Sequence, residues 1–132
     1  MLYPEGSRDI YPILIDCTEQ LIEYFQGVRR TFDITLDPRG TEFQQKVWYE
    51  LMNVAYGKTI SYLELSRRLG DTKAARAVAA ANGKNPIPII IPCHRVIGSN
   101  QELVGYSGGL WRKRILLDLE KQIAHGVQKL FN

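Results

Sequence analysis

Cysteine and histidine are scarce in this chain. Its 132 residues include two cysteines, Cys17 and Cys93, and two histidines, His94 and His125. Two thiols make neither a disulfide framework nor a zinc quartet, which points to a reduced, intracellular protein, cytoplasmic or, in a eukaryote, nuclear. No apolar run approaches the roughly 18 residues needed to span a bilayer. Met1-Leu2-Tyr3-Pro4-Glu5 lacks the charged start and apolar stretch of a signal peptide. Internal repeats and low-complexity segments are absent as well. Hydrophobic residues are plentiful at 45%, enough to bury a core. The length suits one compact domain, or one domain with a short N-terminal appendage.

Charge is unevenly spread. Between Lys58 and Arg114 ten Lys/Arg face three acids, a net +7, while the remainder nets −4 with seven basic and eleven acidic residues. Such asymmetry suits a polyanion-binding face, or else a solvated basic surface.

Residues 1–11 carry no periodic signal and read as a loosely held terminus. From Ile13 to Gln26, Leu14, Cys17, Leu21 and Phe25 share one helical stripe, with Cys17 in the core and Gly27 as the stop. Thr31–Ile34 reads as a short strand. Thr41 and Gln44 form a capping-box pattern for a helix to about Ala55, with Phe43, Val47, Trp48, Leu51 and Met52 as its apolar face. Ser61 and Glu64 repeat the pattern for a helix to Leu69, closed by Gly70. A third helix, Lys73 to Ala81, follows a tight Gly-Asp-Thr turn, and the pair has the outline of a helix-turn-helix. This third helix is rich in alanine, and only Lys73 and Arg76 on it are long. That suits either close packing in the interior or entry into a DNA groove. Residues 98–105 suggest a small hairpin or wing. The final helix places Ile115, Leu116, Leu119 and Ile123 inward and Arg112, Lys113 and Arg114 outward, and Gly126 ends it.

Between the helix-turn-helix and the wing lies Asn85-Pro86-Ile87-Pro88-Ile89-Ile90-Ile91-Pro92-Cys93-His94. Its three prolines exclude helix, so the segment reads as buried extended chain ending in a cysteine beside a histidine. A cysteine there is either structural or a nucleophile whose thiolate is favoured by nearby positive charge or a base. Adjacent side chains in extended chain diverge, so a water bridging Cys93 and His94 is expected rather than direct contact.

Ile91-Pro92-Cys93-His94-Arg95-Val96 resembles the active-site signature of the O6-alkylguanine-DNA alkyltransferases. The likeness continues in order through Gly40–Gln44, Val47-Trp48, Tyr56–Thr59, Ser61-Tyr62, Ala75–Val78, Ala81–Gly83 and Gly105–Leu110. It implies an α+β, mostly helical fold: a winged helix-turn-helix-like DNA-binding and active-site domain over 40–132, after a truncated N-terminal region over 1–39. It also implies irreversible, stoichiometric transfer of the alkyl group from O6-alkylguanine in double-stranded DNA to Cys93, after the base is flipped out. No cofactor and no metal is implied, and the expected form is a monomer without membrane contact.

The resemblance also distributes roles. Glu120 would orient His94, whereas Asp118, two residues away, would face elsewhere. Tyr106 would protonate the leaving guanine at N3, and Asn85 would tie the helix-turn-helix to the active-site segment. Arg76 would fill the gap left by the base, and Tyr62 would rotate the flanking phosphate. Lys73, Ala75, Ala77 and Arg95 complete the expected DNA contacts, made in the minor groove. The backbone around Val96, with Ser107 and Gly108, would recognise the base. His125 is expected at the surface. Family members usually carry an N-terminal sheet, and some a structural zinc. Only 39 residues precede Gly40 here, and the cysteine and histidine count argues against the metal.

Three other readings compete. A lesion sensor of the alkyltransferase-like type would have tryptophan at the nucleophile position, where this chain has Cys93. A helix-turn-helix transcription factor would not need a cysteine behind a proline-rigidified segment. A cysteine hydrolase would need an oxyanion-hole pattern, and none is evident.

Overall fold

The computed structural model describes residues 7–98, 103 and 105–126, with side chains from residue 12 onward. The chain divides into two compact units, residues 1–36 and 37–132.

The first unit is built on helix α1, Ser7–Phe25. It starts six residues before Ile13 and includes Pro12, so the expected loose terminus is helical from Ser7. Proline reads as a boundary because it cannot donate to the helix ladder; here one missing bond near the start is tolerated. The buried stripe also differs from expectation. Leu14 and Phe25 are exposed and Cys17 is half-buried rather than core, while burial is deepest at Gln20 and Tyr24. Two contacts explain this register. Tyr24 packs on the Phe32 ring at 5.6 Å between centroids. Gln20 Nε2 donates to the Asp33 carbonyl at 3.0 Å, and its Oε1 accepts from the Asp33 N–H at 2.8 Å. That amide replaces a strand partner, so Thr31–Ile34 is extended but not a strand. Gly27, with φ +80°, closes α1 as expected.

The second unit contains helices α2 (Glu42–Leu51), α3 (Tyr62–Arg68), α4 (Ala75–Gly83) and α5 (Leu110–Ala124). Its two short strands, β1 (Ile60–Ser61) and β2 (Val96–Ile97), pair in parallel with Ile60 opposite Val96. The described residues are therefore mostly helical with one small sheet, as the α+β reading has it. Thr41 and Gln44 form the full capping box on α2, with bonds of 3.0 and 2.9 Å. Ser61 caps α3 through the Glu64 N–H, but the Glu64 carboxylate turns to Arg67 and Arg68 instead of completing a box.

Helices α2, α3 and α4 pack on one another. Trp48 is buried and its Nε1 donates to the Ala81 carbonyl at 2.8 Å, which fixes α2 to the end of α4. Val47 and Leu51 are buried with Trp48, whereas Phe43 and Met52 are exposed, and α2 ends at Leu51, before Ala55. Helix α4 begins at Ala75 rather than Lys73, since the Asp71 carboxylate accepts from the Lys73 N–H at 2.9 Å and holds the preceding turn.

The register of α5 differs from the expected one in a way that matters for the site. Ile115 is exposed, while Lys113, Leu116 and Glu120 are buried. Most of the expected wing, Ser99–Glu102 with Val104, lies outside the described residues.

Candidate active site

The segment before Cys93 is a turn, not the extended strand that its prolines suggest. Ile89 has φ +74°, a left-handed conformation costly for a β-branched residue. The Ile91 N–H bonds back to the Ile87 carbonyl at 3.0 Å. Asn85 closes this turn. Its Nδ2 donates to the Ile91 carbonyl at 2.7 Å, and its Oδ1 accepts from the Ile87 N–H at 3.0 Å. The strained loop that presents Cys93 is thus held by one side chain at the exit of α4.

Cys93, His94 and Arg95 form a single 3-10 turn, all three buried. Successive residues in such a turn point about 120° apart, so the side chains diverge more than in a pair that touches. His94 Nε2 meets Glu120 Oε2 at 2.7 Å. Arg95 reaches the same carboxylate from the other side, Nε to Oε1 at 2.8 Å and Nη2 to Oε2 at 3.0 Å. The Gly57 N–H adds a bond to Oε1 at 3.2 Å. Burial alone would raise the Glu120 pKa, but the bonds from His94 and Arg95 outweigh it and bring the carboxyl down to about 2.

An ionised Glu120 fixes the imidazole tautomer. The Nε2 must carry the hydrogen that the carboxylate accepts, which leaves Nδ1 with its lone pair. That atom is buried and makes no hydrogen bond among the described residues. Burial also lowers the His94 pKa, despite Glu120, so the ring is neutral near pH 7. The result is a neutral base, oriented by a carboxylate and attached next to a thiol. The Cys93 thiol itself is raised by burial, against which hydrogen bonding from Asn85 and the charge of Lys113 act.

Two phenols complete the surroundings. Burial raises Tyr106 to about 12, with the charge of Cys93 adding to the effect. Tyr62 is raised for the same two reasons, offset by its hydrogen bond with Asn82. The loop into α5 is moulded to these rings. A Cβ at Gly108 would come within 2.7 Å of the Tyr106 ring, and one at Gly105, whose φ is +66°, within 2.9 Å of the Tyr62 hydroxyl.

The structure therefore brings Cys93, His94, Glu120, Asn85, Tyr62 and Tyr106 into one unit. It removes Arg95 from the expected DNA surface: the residue is 6% exposed, and its remaining nitrogen donates to the Val54 carbonyl at 2.7 Å. Its guanidinium also lies over the Tyr56 ring at 5.5 Å. A carboxylate buried 25 residues away claimed it, which local sequence does not show. Val96 is wholly buried and its carbonyl accepts from Lys113 Nζ at 2.6 Å. Ser107 is exposed and Gly108 half-buried. On α4 the outward residues are Arg76, Ala77 and Ala80, with Lys73 exposed just ahead of the helix and Ala75 half-buried. Asp118 and His125 are exposed.

Two residues near the nucleophile escaped the sequence reading. Lys113 was expected outward, yet it shares the buried stripe of Leu116 and Glu120, at spacings of three and seven. Asn82 is 1% exposed and its Nδ2 lies 3.4 Å from the Cys93 carbonyl. A polar residue four after buried Val78 was the available signal for it.

Comparison with known proteins decides the family. Residues 42–122 match the model of the 6-O-methylguanine DNA methyltransferase DNA-binding domain. The chain belongs to the methylated-DNA–protein-cysteine methyltransferase family. The member from Mycobacterium tuberculosis is 54% identical over 114 residues, 86% of this chain and 69% of that relative. A crystal structure of the M. tuberculosis protein in complex with DNA superposes with a TM-score of 0.81 at 52% identity, covering 89% of this chain and 73% of that one. The S. pombe Atl1 structure, in complex with damaged DNA containing O6-carboxymethylguanine, gives 0.54 at 32% identity, covering 62% and 78%. Among the described residues no helix is long and apolar enough to cross a membrane, and no group of His, Cys, Asp and Glu could hold a metal ion.

Proposed function

We propose that this methyltransferase repairs O6-alkylguanine in double-stranded DNA by transferring the alkyl group to Cys93, once per molecule. The observation that carries the reading is the neutral His94, next to Cys93 in the chain, held by Glu120 at 2.7 Å with its buried Nδ1 making no hydrogen bond among the described residues. His94 takes the thiol proton, through a bridging water since no direct bond joins the two. The thiolate then attacks the alkyl carbon in line with the C–O6 bond. A carbon–sulfur bond forms, the carbon–oxygen bond breaks, and its electron pair stays with guanine. Tyr106, which remains protonated at neutral pH, gives its proton to guanine N3 and is reprotonated from the His94 side. The proton lost by the thiol is thus the one gained by the base. A thioether has no leaving group for water to displace, so the protein is spent after one transfer, and no cofactor or metal takes part.

The base must leave the helix to reach a buried sulfur, at a cost of a few kcal/mol. Exposed Arg76 is the side chain that fills the gap, and the small residues Ala77 and Ala80 let α4 approach the minor groove, flanked by Lys73. Tyr62 rotates the flanking phosphate, while Ser107, Gly108 and the Val96 backbone hold the base. The protein acts as a monomer in this reading, and two free cysteines suit a reducing, cytoplasmic setting.

The test is incubation with a duplex oligonucleotide containing one O6-methylguanine, followed by intact mass and peptide mapping. A gain of one methyl group on Cys93, absent from Cys93→Ser, is expected. Tight binding without a mass change would make the protein a lesion sensor and overturn the reading.

A further inference from the structure

Lys113 is wholly buried, and burying an ammonium group in a protein interior costs several kcal/mol unless something there uses the charge. Its position is fixed through main-chain links to the nucleophile. The Val96 N–H donates to the Cys93 carbonyl, and the Val96 carbonyl accepts from Lys113 Nζ at 2.6 Å. The other charged groups at the site are otherwise engaged. His94 is neutral near pH 7, and the Arg95 guanidinium is divided between Glu120 and the Val54 carbonyl. Yet a thiol buried to this extent must ionise to react, and a thiolate in such surroundings requires a nearby positive charge.

We propose that Lys113 is a positioning residue for the transfer reaction. Its buried ammonium group, held by the Val96 carbonyl beside the Cys93 turn, is the counter-charge that favours the Cys93 thiolate. The inference rests on the proposed nucleophilic role of Cys93 and adds the group that makes that role feasible at neutral pH. The coupling is mutual: Cys93 holds a proton less firmly because of Lys113, and Lys113 holds one more firmly because of Cys93. Burial brings the lysine down to about 8 and raises the thiol above its ordinary value, so at neutral pH the lysine carries its charge beside a thiol that resists ionising. Alkylation then has a second consequence. The thioether bears no charge, so Lys113 in the spent protein loses the anion that supported its proton, and its titration moves lower still.

The titratable groups around this pair are His94 from the 3-10 turn, Tyr106 from the loop and Tyr62 from α3, with Glu120 and Arg95 acting on His94 and Arg112 on Tyr106. His94 and Glu120 titrate below neutrality, and Tyr62 and Tyr106 are raised. Above pH 7 the charge changes of this pair are therefore not obscured by His94 or Glu120.

The experiment follows carbamidomethylation of Cys93 by iodoacetamide from pH 5 to 10, using peptide mass to separate it from Cys17. It needs no alkylated DNA, so its outcome is independent of whether O6-alkylguanine is the substrate. In Lys113→Met, the midpoint of Cys93 reactivity should rise by about one unit or more, the effect of losing one nearby opposite charge, with a roughly tenfold slower reaction at pH 7.5. Lys113→Arg should keep the midpoint close to wild type. A folded Lys113→Met with an unchanged midpoint would overturn the proposal. If Lys113→Met does not fold, the wild-type chain still decides. The Lys113 side-chain resonance, assigned with Lys113→Arg, must titrate at lower pH after Cys93 is carbamidomethylated, and an unmoved titration would equally overturn it.

Discussion

The basic half of this chain holds two sets of cations that behave in opposite ways. Lys73 and Arg76, at the α4 end, are exposed. Arg95 and Lys113, at the α5 end, are buried and bonded to Glu120 and to the Val96 carbonyl. In a charge count the four are equivalent, and together they suggest a polyanion face. In the fold only the first pair can meet a phosphate backbone. The second pair acts inward, one holding the carboxylate that orients His94 and the other facing the nucleophile. Net positive charge therefore overstates the DNA-binding surface, because some of it belongs to the chemistry.

The contrast is sharpest in stability. Removing one partner of a buried ion pair leaves an uncompensated charge, so Arg95→Ala should cost about 3–5 kcal/mol, read as a fall in the urea midpoint. Arg76→Ala should stay within about 0.5 kcal/mol on the same measurement, as an exposed substitution does. Equal losses would break the comparison.

Acid should act on the buried set alone. The Glu120 pKa is lower folded than unfolded, so its contribution is fully present above about pH 4.5 and is lost as the pH falls through about 2. Thermal melts from pH 7 to 2 should show wild type losing stability first below about pH 6.5, as buried neutral His94 is forced to take up a proton. Further loss should follow over the Glu120 window, where Glu120→Gln, already destabilised, should lose less.

Activity separates the two members of the outer set. Arg76→Ala should slow transfer from duplex DNA by about 10²-fold, since a few kcal/mol of flipping cost goes uncompensated. Transfer from a free O6-alkylguanine base should be unaffected, and a parallel loss there would place Arg76 in the chemistry instead. Lys73→Ala should give the smallest effect, lowering the slope of log affinity against log salt by about 1 with no change in the transfer rate.

Local signals in the sequence proved dependable where the physics is local. The Thr41–Gln44 capping box and the Ser61 cap involve neighbours three residues apart, and both form. The Gly27 and Gly70 helix stops depend on their own φ, and both are positive. The prolines before Cys93 excluded helix correctly, but they did not reveal that Ile89 would turn left-handed, because Asn85 imposes that turn through two bonds. Likewise the Thr31–Ile34 segment had strand character and no strand partner, its place being taken by Gln20.

The sequence by itself determined the helix-turn-helix outline, the family, and the presence of a cysteine, a histidine and a carboxylate suited to alkyl transfer. Those properties reside in residue identity and short spacing. Only the tertiary structure decided which charges turn inward. A lysine or arginine has the same hydropathy on either face of a helix. Its burial depends on a partner far along the chain, Glu120 for Arg95 and the Val96 carbonyl for Lys113.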